Sequence, residues 1–347
     1  MVSTKLNAKQ QAILDHELAQ PEHPDKRMSI WELIEQIPAQ AERGYALLRP
    51  SYLYAGLPEE QVRLASELSE DAGQGIYMPG CLRGAICRRF TLDAPVELAL
   101  RMAMAARFEW FASQTNRNTH PETHFGPLLL AASAHDFAAV DLIAQVPETA
   151  LEKPNNRDFA FLLGALVGLV HGDEAKLQQA AEAMAKRRPS AHIKALQGAV
   201  IAIAMSSPEE FAAALKKMLK TYRNYMFGDD FYGLINPHAM GLYEMARRYR
   251  PQVVDAFDTS EALPWDAGYY AWLMTCDDIA VHFERERVPT SMRAHILDLE
   301  PLAWVPQFMA TLTANQANAP DPKALLRSLR RANTAPTSSQ APLSNAD

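Results

Sequence analysis

Residues 120–124 read His-Pro-Glu-Thr-His, and two imidazoles flanking a carboxylate are the raw material of a zinc site. On a helix His120 and His124 would share one face, as a zinc-protease helix requires, but that motif needs Glu directly after the first His. Here Pro121 holds that place and Glu122 follows one residue later. His120, Pro121 and Glu122 also match the first half of the zinc-deaminase signature, yet no Pro-Cys-x-x-Cys follows and the only downstream cysteine is Cys276. A polar loop entering a helix is the stronger account of the stretch. A metal-dependent hydrolase using His120, His124 and His135 stands as the third of three functional readings.

Cys81 and Cys87 are six apart, which fits neither a redox pair nor a zinc knuckle, so both read as free thiols in the core. There is no Gly-x-Ser-x-Gly elbow and no phosphate loop. Gly73-Gln74-Gly75 lacks the third glycine and the flanking strand of a dinucleotide site. The expectation is therefore no catalytic residue, no cofactor and no metal.

Aromatic and acidic residues cluster twice. Tyr222, Tyr225, Phe227, Asp229, Asp230, Phe231 and Tyr232 stand where a helix gives way to a loop, and Trp265, Asp266, Tyr269, Tyr270, Trp272, Asp277 and Asp278 follow. Rigid aromatics beside carboxylates suit a surface that captures Arg or Lys on a partner. The partner-binding set expected from them is Tyr225, Asp229, Asp230, Tyr232, Trp265, Asp266, Tyr269, Asp277 and Asp278. The competing reading puts the aromatics in the core and the aspartates at helix N-termini. Asp266, two residues after Pro264, suits a first turn in either case.

The elements that must position these residues are helical. Glycine is sparse at 15 and the 23 prolines fall mostly between apolar blocks, which favours helix over strand. Residues 158–171 are apolar almost throughout, Gly172-Asp173 interrupts them, and 174–186 resumes with Leu177, Ala180, Ala181 and Met184 at helical spacing. The pattern repeats through 192–205, a Ser206-Ser207-Pro208 break, and an amphipathic 209–222 carrying Phe211, Leu215, Met218 and Leu219. Breaks about 35 residues apart are typical of stacked helical hairpins.

Upstream, 7–19 reads as a short amphipathic helix. Ser29 and Glu32 form a capping box for the next, which is expected to restart after Pro38. Pro58-Glu59-Glu60 opens a further helix, 82–90 is ambiguous between helix and strand, and a strong helix runs from Pro95 to about Phe111. The polar 113–124 stretch reads as a surface loop and domain seam, followed by helices at 126–132 and 136–144. Helices at 237–249, 264–275 and 301–312 close the pattern. The expected fold is all-α: an N-terminal helical section (1–117), an array of antiparallel helical hairpins resembling a TPR or HEAT superhelix (118–331), and a disordered Pro/Ser/Thr-rich tail (332–347).

The 347 residues carry 41 acidic and 34 basic side chains, a net charge of −7. That argues against a dedicated nucleic-acid binder and permits a basic partner. Three unpaired cysteines indicate a reducing compartment. The N-terminus lacks an apolar signal, and the longest uncharged apolar run, 159–170, has 12 residues, short of the ~20 that span a bilayer. A cytoplasmic protein without a membrane partner is expected.

One stretch is similar to a known family. The order helix, Gly172-Asp173, helix; then Glu209-Glu210-Phe211 opening a helix that closes on Tyr222-Arg223; then a Pro-started helix and Leu263-Pro264-Trp265-Asp266 resembles immunity family 49 of bacterial polymorphic toxin systems. The likeness covers 158–273, roughly a third of the chain. Tyr222 stands where a His before Arg223 would strengthen it, and the chain is longer than that family at both ends. The resemblance implies a mostly helical protein that binds one cognate toxin stoichiometrically and blocks it without catalysis, a nuclease effector being one form of that toxin. It carries over no catalytic residues. The second reading is a general helical-repeat scaffold for protein–protein interaction.

Overall fold

The computed structural model describes residues 6–19, 28–49, 51–69, 80–115, 122–146, 157–189, 191–221, 230–259 and 264–318. The helices are α1 (Ala8–Ala19), α2 (Ile30–Leu48), α3 (Glu59–Glu67), α4 (Gly80–Leu92), α5 (Pro95–Thr115), α6 (Glu122–Ser133), α7 (Phe137–Ile143), α8 (Arg157–His171), α9 (Glu174–Ala185), α10 (Ala191–Ala204), α11 (Pro208–Lys220), α12 (Pro237–Tyr249), α13 (Ala267–Leu273), α14 (Thr290–Ile296) and α15 (Val305–Ala317). The fold is all-α, with no strand among the described residues. The ambiguous 82–90 stretch is helix α4, and the expected tail at 332–347 lies outside the described residues.

The capping box forms as the sequence suggests. Ser29 Oγ accepts from the Glu32 amide and Glu32 returns a bond to the Ser29 amide. Pro38, expected to break this helix, sits inside it. The stripe Ile30, Ile34, Ile37, Ala41 and Tyr45 is buried on both sides of the proline, and that burial offsets the one backbone bond a proline forfeits.

The most deeply buried of the long helices is α5. From Glu97 to Phe108 every side chain of α5 is buried. Ala99, Ala103, Ala105 and Ala106 let neighbours approach closely, and α4 and α6 pack along it. One continuous core cluster runs from Ile13 to Leu302. The expected 117/118 boundary thus falls between two helices, α5 and α6, that share it. A small satellite cluster of Tyr45, Val62, Ala65, Phe308 and Leu312 seats α15 on the α2–α3 pair.

Three helix pairs, α6–α7, α8–α9 and α10–α11, are joined by the same turn. Each first helix ends on a residue with positive φ: His135 (57°), Gly172 (67°) and Ser206 (51°). In each, the following amide reaches back five residues, Asp136 N–H to Ala131 C=O, Asp173 N–H to Gly168 C=O and Ser207 N–H to Ala202 C=O, at 2.8–2.9 Å. This is the Schellman arrangement, which satisfies the carbonyls a helix end leaves open. The next residue then starts the second helix: Asp136 accepts from Ala139 N–H and Asp173 from Lys176 N–H. Turn and cap together end one helix and start the next within two residues.

Two glycines set helix separations. A Cβ on Gly168 would stand 2.9 Å from the Leu177 amide nitrogen, and one on Gly241 would stand 1.9 Å from the Leu129 carbonyl oxygen. The second contact draws α12 against α6 as closely as two backbones approach.

Candidate partner-binding surface

Residues 264–300 contain only the short helices α13 and α14 and two 3₁₀ turns, Ile279–His282 and Arg285–Arg287. Regular structure does little to fix such a segment, and buried polar side chains tie it down instead. Arg89 on α4 pairs with Asp266, Nε to Oδ2 2.7 Å, with both side chains nearly inaccessible. The Tyr269 hydroxyl donates to the Ser133 carbonyl at 2.7 Å. Arg107 on α5 forms a fork with Asp136, 2.6 and 2.8 Å, and its remaining nitrogen donates to the carbonyls of Ile296 and Leu297 at 2.7 and 2.8 Å. Its guanidinium also lies 4.6 Å from the Phe283 ring centroid. A planar guanidinium with five donors is the side chain suited to such a junction.

His135 makes the remaining tie. Its Nδ1 lies 2.9 Å from the Cys276 carbonyl, an acceptor, so that nitrogen carries a proton and donates. Nε2 lies 2.9 Å from Glu244 Oε2, and the same oxygen accepts from Arg247 Nε at 2.7 Å. A non-glycine residue at positive φ is uncommon. The equivalent turn positions hold Gly172 and Ser206, so the ring's contacts are what His135 adds at a position that favours something smaller.

These ties sort the expected partner-binding residues. Tyr232, Trp265, Asp266 and Tyr269 are buried, and this corrects their assignment to a surface. Asp266 pairs with Arg89 and caps α13 by accepting from the Tyr269 amide at 3.0 Å. Trp265 packs edge-on against Tyr243 and Phe257, and Tyr232 against Phe231 and His238. Burial gains for rings of this size outweigh what they offer as surface contacts. Tyr225 and Asp229 lie outside the described residues, as does the side chain of Asp230.

Asp277 and Asp278 are exposed. Asp278 also accepts from the Ala280 amide at 2.8 Å, which fixes the turn that follows it. Met274 and Val281, 38% and 77% exposed, flank the pair. Ile279 is fully buried beneath them and Trp272 stacks toward His282, ring centroids 6.0 Å apart. The result is an acidic edge with apolar shoulders, held from below through the Cys276 carbonyl.

Other candidates resolve differently. His120 lies outside the described residues. His124 is buried with its ring 5.1 Å from Trp110, while His135 is committed to Cys276 and Glu244. Among the described residues no three His, Cys, Asp or Glu side chains are placed to hold a metal. Cys87 is buried, as expected, and so is Cys276; the Cys81 side chain lies outside the described residues. Burial, with the charge of Asp278, pushes the Cys276 thiol up, which lowers its reactivity. Burial also holds the Tyr269 hydroxyl well above its usual range.

Sequence reasoning passed over Arg89, Arg107, Asp136 and Glu244. A signal was available: Arg101 and Arg107 interrupt the run 98–108, which is otherwise apolar, and a charge inside such a run must find a buried partner. No helix is long and apolar enough to cross a membrane among the described residues. No family model, curated protein or solved structure matches this chain.

Proposed function

We propose that this chain is a non-catalytic binding protein that neutralises a cognate antibacterial toxin by stoichiometric blocking, in the cytoplasm. The acidic edge at Asp277 and Asp278 is its contact surface. The observation that carries this reading is the pairing of those exposed carboxylates with Met274 and Val281 on a segment tied to the core at four points. A fixed edge loses little conformational freedom on docking, so more of the interaction energy appears as affinity. Its charge steers a basic partner, such as a nuclease effector, and makes the association rate fall with salt.

A second reading has its own support. The three pairs α6–α7, α8–α9 and α10–α11 share one turn chemistry, with positive-φ residues at 135, 172 and 206. We read them as an array of helical hairpins, and such arrays serve as general scaffolds for partner proteins. Co-expression separates the two. The product of the adjacent gene is produced in a susceptible host with and without this chain. Immunity requires that growth arrest by that product be relieved and that the two proteins co-purify in near-equal amounts. Growth arrest unrelieved by the chain would reject the immunity reading and leave the scaffold.

A further inference from the structure

The chain's net charge averages over an uneven distribution. α8 to α11 run antiparallel in succession, so the start of α8, the end of α9, the start of α10 and the end of α11 meet at one end of the stack. Contacts fix this register. Arg187 pairs with Asp158, Gln178 donates to the Ala204 carbonyl, and Gly198 faces the Ala214 methyl. That end carries Lys186, Arg187, Arg188, Lys194, Lys216, Lys217 and Lys220, all exposed, with Asp158 and Glu182 the nearby acids on these helices. The opposite end carries Asp173, Glu174, Glu209 and Glu210.

Helix dipoles account for part of this. Cations suit the C-terminal ends of α9 and α11, and acids their first turns. They do not account for Lys194, which stands in the first turn of α10 where a cation is disfavoured. Nor do they call for two further cations, Arg187 and Arg188, beyond the end of α9. A shallow depression of about 190 Å³ adjoins this end, lined by Lys220 and Lys9 with Asn7 and Gln10. The cations therefore continue across the α11–α1 boundary.

We propose that this basic end binds the phosphodiester backbone of nucleic acid without reading its sequence, a property independent of the toxin-binding reading. Three features favour a phosphate chain over an acidic protein or a membrane. Five of the seven cations are lysines, which serve phosphate as point charges but are depleted in protein interfaces. None of the exposed large apolar residues among the described set, Leu18, Leu92, Met205, Met274 and Val281, belongs to this end, so nothing there would enter a bilayer. Arg187, the cation best placed for a forked contact, is already held by Asp158 and lies 5.7 Å from the Phe161 ring centroid. The remainder is diffuse positive charge, which supplies salt-dependent, sequence-independent affinity.

The test uses the full chain and fluorescein-labelled 20-nucleotide single-stranded and duplex DNA of two unrelated sequences, read by anisotropy across a salt series. Binding should be equal for both sequences, and log K should fall against log salt with a slope of about −3 to −6 for duplex. Lys194→Glu/Lys217→Glu/Lys220→Glu should weaken binding at least tenfold, while Lys176→Glu, at the other end, should leave it unchanged. Circular dichroism melting establishes that the variants remain folded, and the milder Lys→Gln triple variant should fall between. Absence of binding at low salt, or equal binding by the triple Glu variant, overturns the proposal. Tighter binding to poly-glutamate than to DNA at matched charge also overturns it, and assigns the surface to an acidic protein.

Discussion

The Nδ1 of His135 lies 2.9 Å from the carbonyl oxygen of Cys276, the residue immediately before Asp277. A side chain at the turn between α6 and α7 thereby holds the backbone from which the exposed acidic edge projects. Its other nitrogen meets Glu244 of α12, so three parts of the chain far apart in sequence converge on one ring.

His135→Asn removes both ring contacts while keeping a residue that tolerates positive φ. We expect a loss of about 1–3 kcal/mol, because the Cys276 carbonyl loses its donor inside the core. Hydrogen exchange should rise selectively over 274–283. Urea midpoints and exchange maps matching the wild type would show that the ring is not what holds the edge.

Arg107→Met preserves length and apolar volume but leaves Asp136 buried without its fork partner and the Ile296 and Leu297 carbonyls without theirs. Removing one member of a buried pair costs about 3–5 kcal/mol. The expected result is a correspondingly lower urea midpoint, with the 283–297 region exchanging first. An unchanged midpoint would contradict the role given to this junction.

Gly241→Ala places a methyl where 1.9 Å separates it from the Leu129 carbonyl oxygen. Backbone cannot yield as a side-chain tip can, so α12 must move off α6, at a cost of about 3 kcal/mol or more. Gly164→Ala is the matched control: nothing lies within 4 Å of the added carbon, and stability should hold or rise by about 0.5–1 kcal/mol. Thermal melts of the two variants test the contrast. Equal effects would mean that the α6–α12 approach is not limiting.

His238 is fully buried and burial pulls its pKa from 6.5 to about 4. The unfolded chain therefore takes up a proton on acidification before the folded chain does. Stability is complete above the unfolded value and declines as pH falls from about 6.5 toward 4, by an amount on the order of 3 kcal/mol. His238→Gln should flatten this part of the profile, as read from urea midpoints at about pH 7 and pH 4.5. A variant with the wild-type slope would place the acid sensitivity elsewhere.

Local rules made most elements legible. The Ser29–Glu32 box, Gly172-Asp173 and Ser206-Ser207-Pro208 all announce their boundaries, because capping and turn chemistry depend on adjacent residues. Long-range pairing was not legible. Asp266 looks the same in sequence whether it caps a helix at the surface or meets Arg89 in the core, 177 residues away. The second aromatic–acidic cluster therefore split, Trp265, Asp266 and Tyr269 turning inward and Asp277 and Asp278 outward. Likewise Pro38 suggests a break because the sequence shows its missing donor but not the burial that continues past it. The expected helices at 126–132 and 136–144 bracket the third turn, at His135, but its likeness to the other two is hidden because it holds neither Gly nor Pro.

The central claim is that Asp277 and Asp278 form the contact edge for a basic protein partner. The direct measurement is quantitative co-purification of tagged chain from cells producing the adjacent gene's product, comparing wild type with Asp277→Lys/Asp278→Lys. Both sites are exposed, so circular dichroism should find the variant folded. We expect one partner at near-equal stoichiometry with the wild type, recovered at least tenfold less with the variant. Equal recovery of that partner by both proteins would contradict the account.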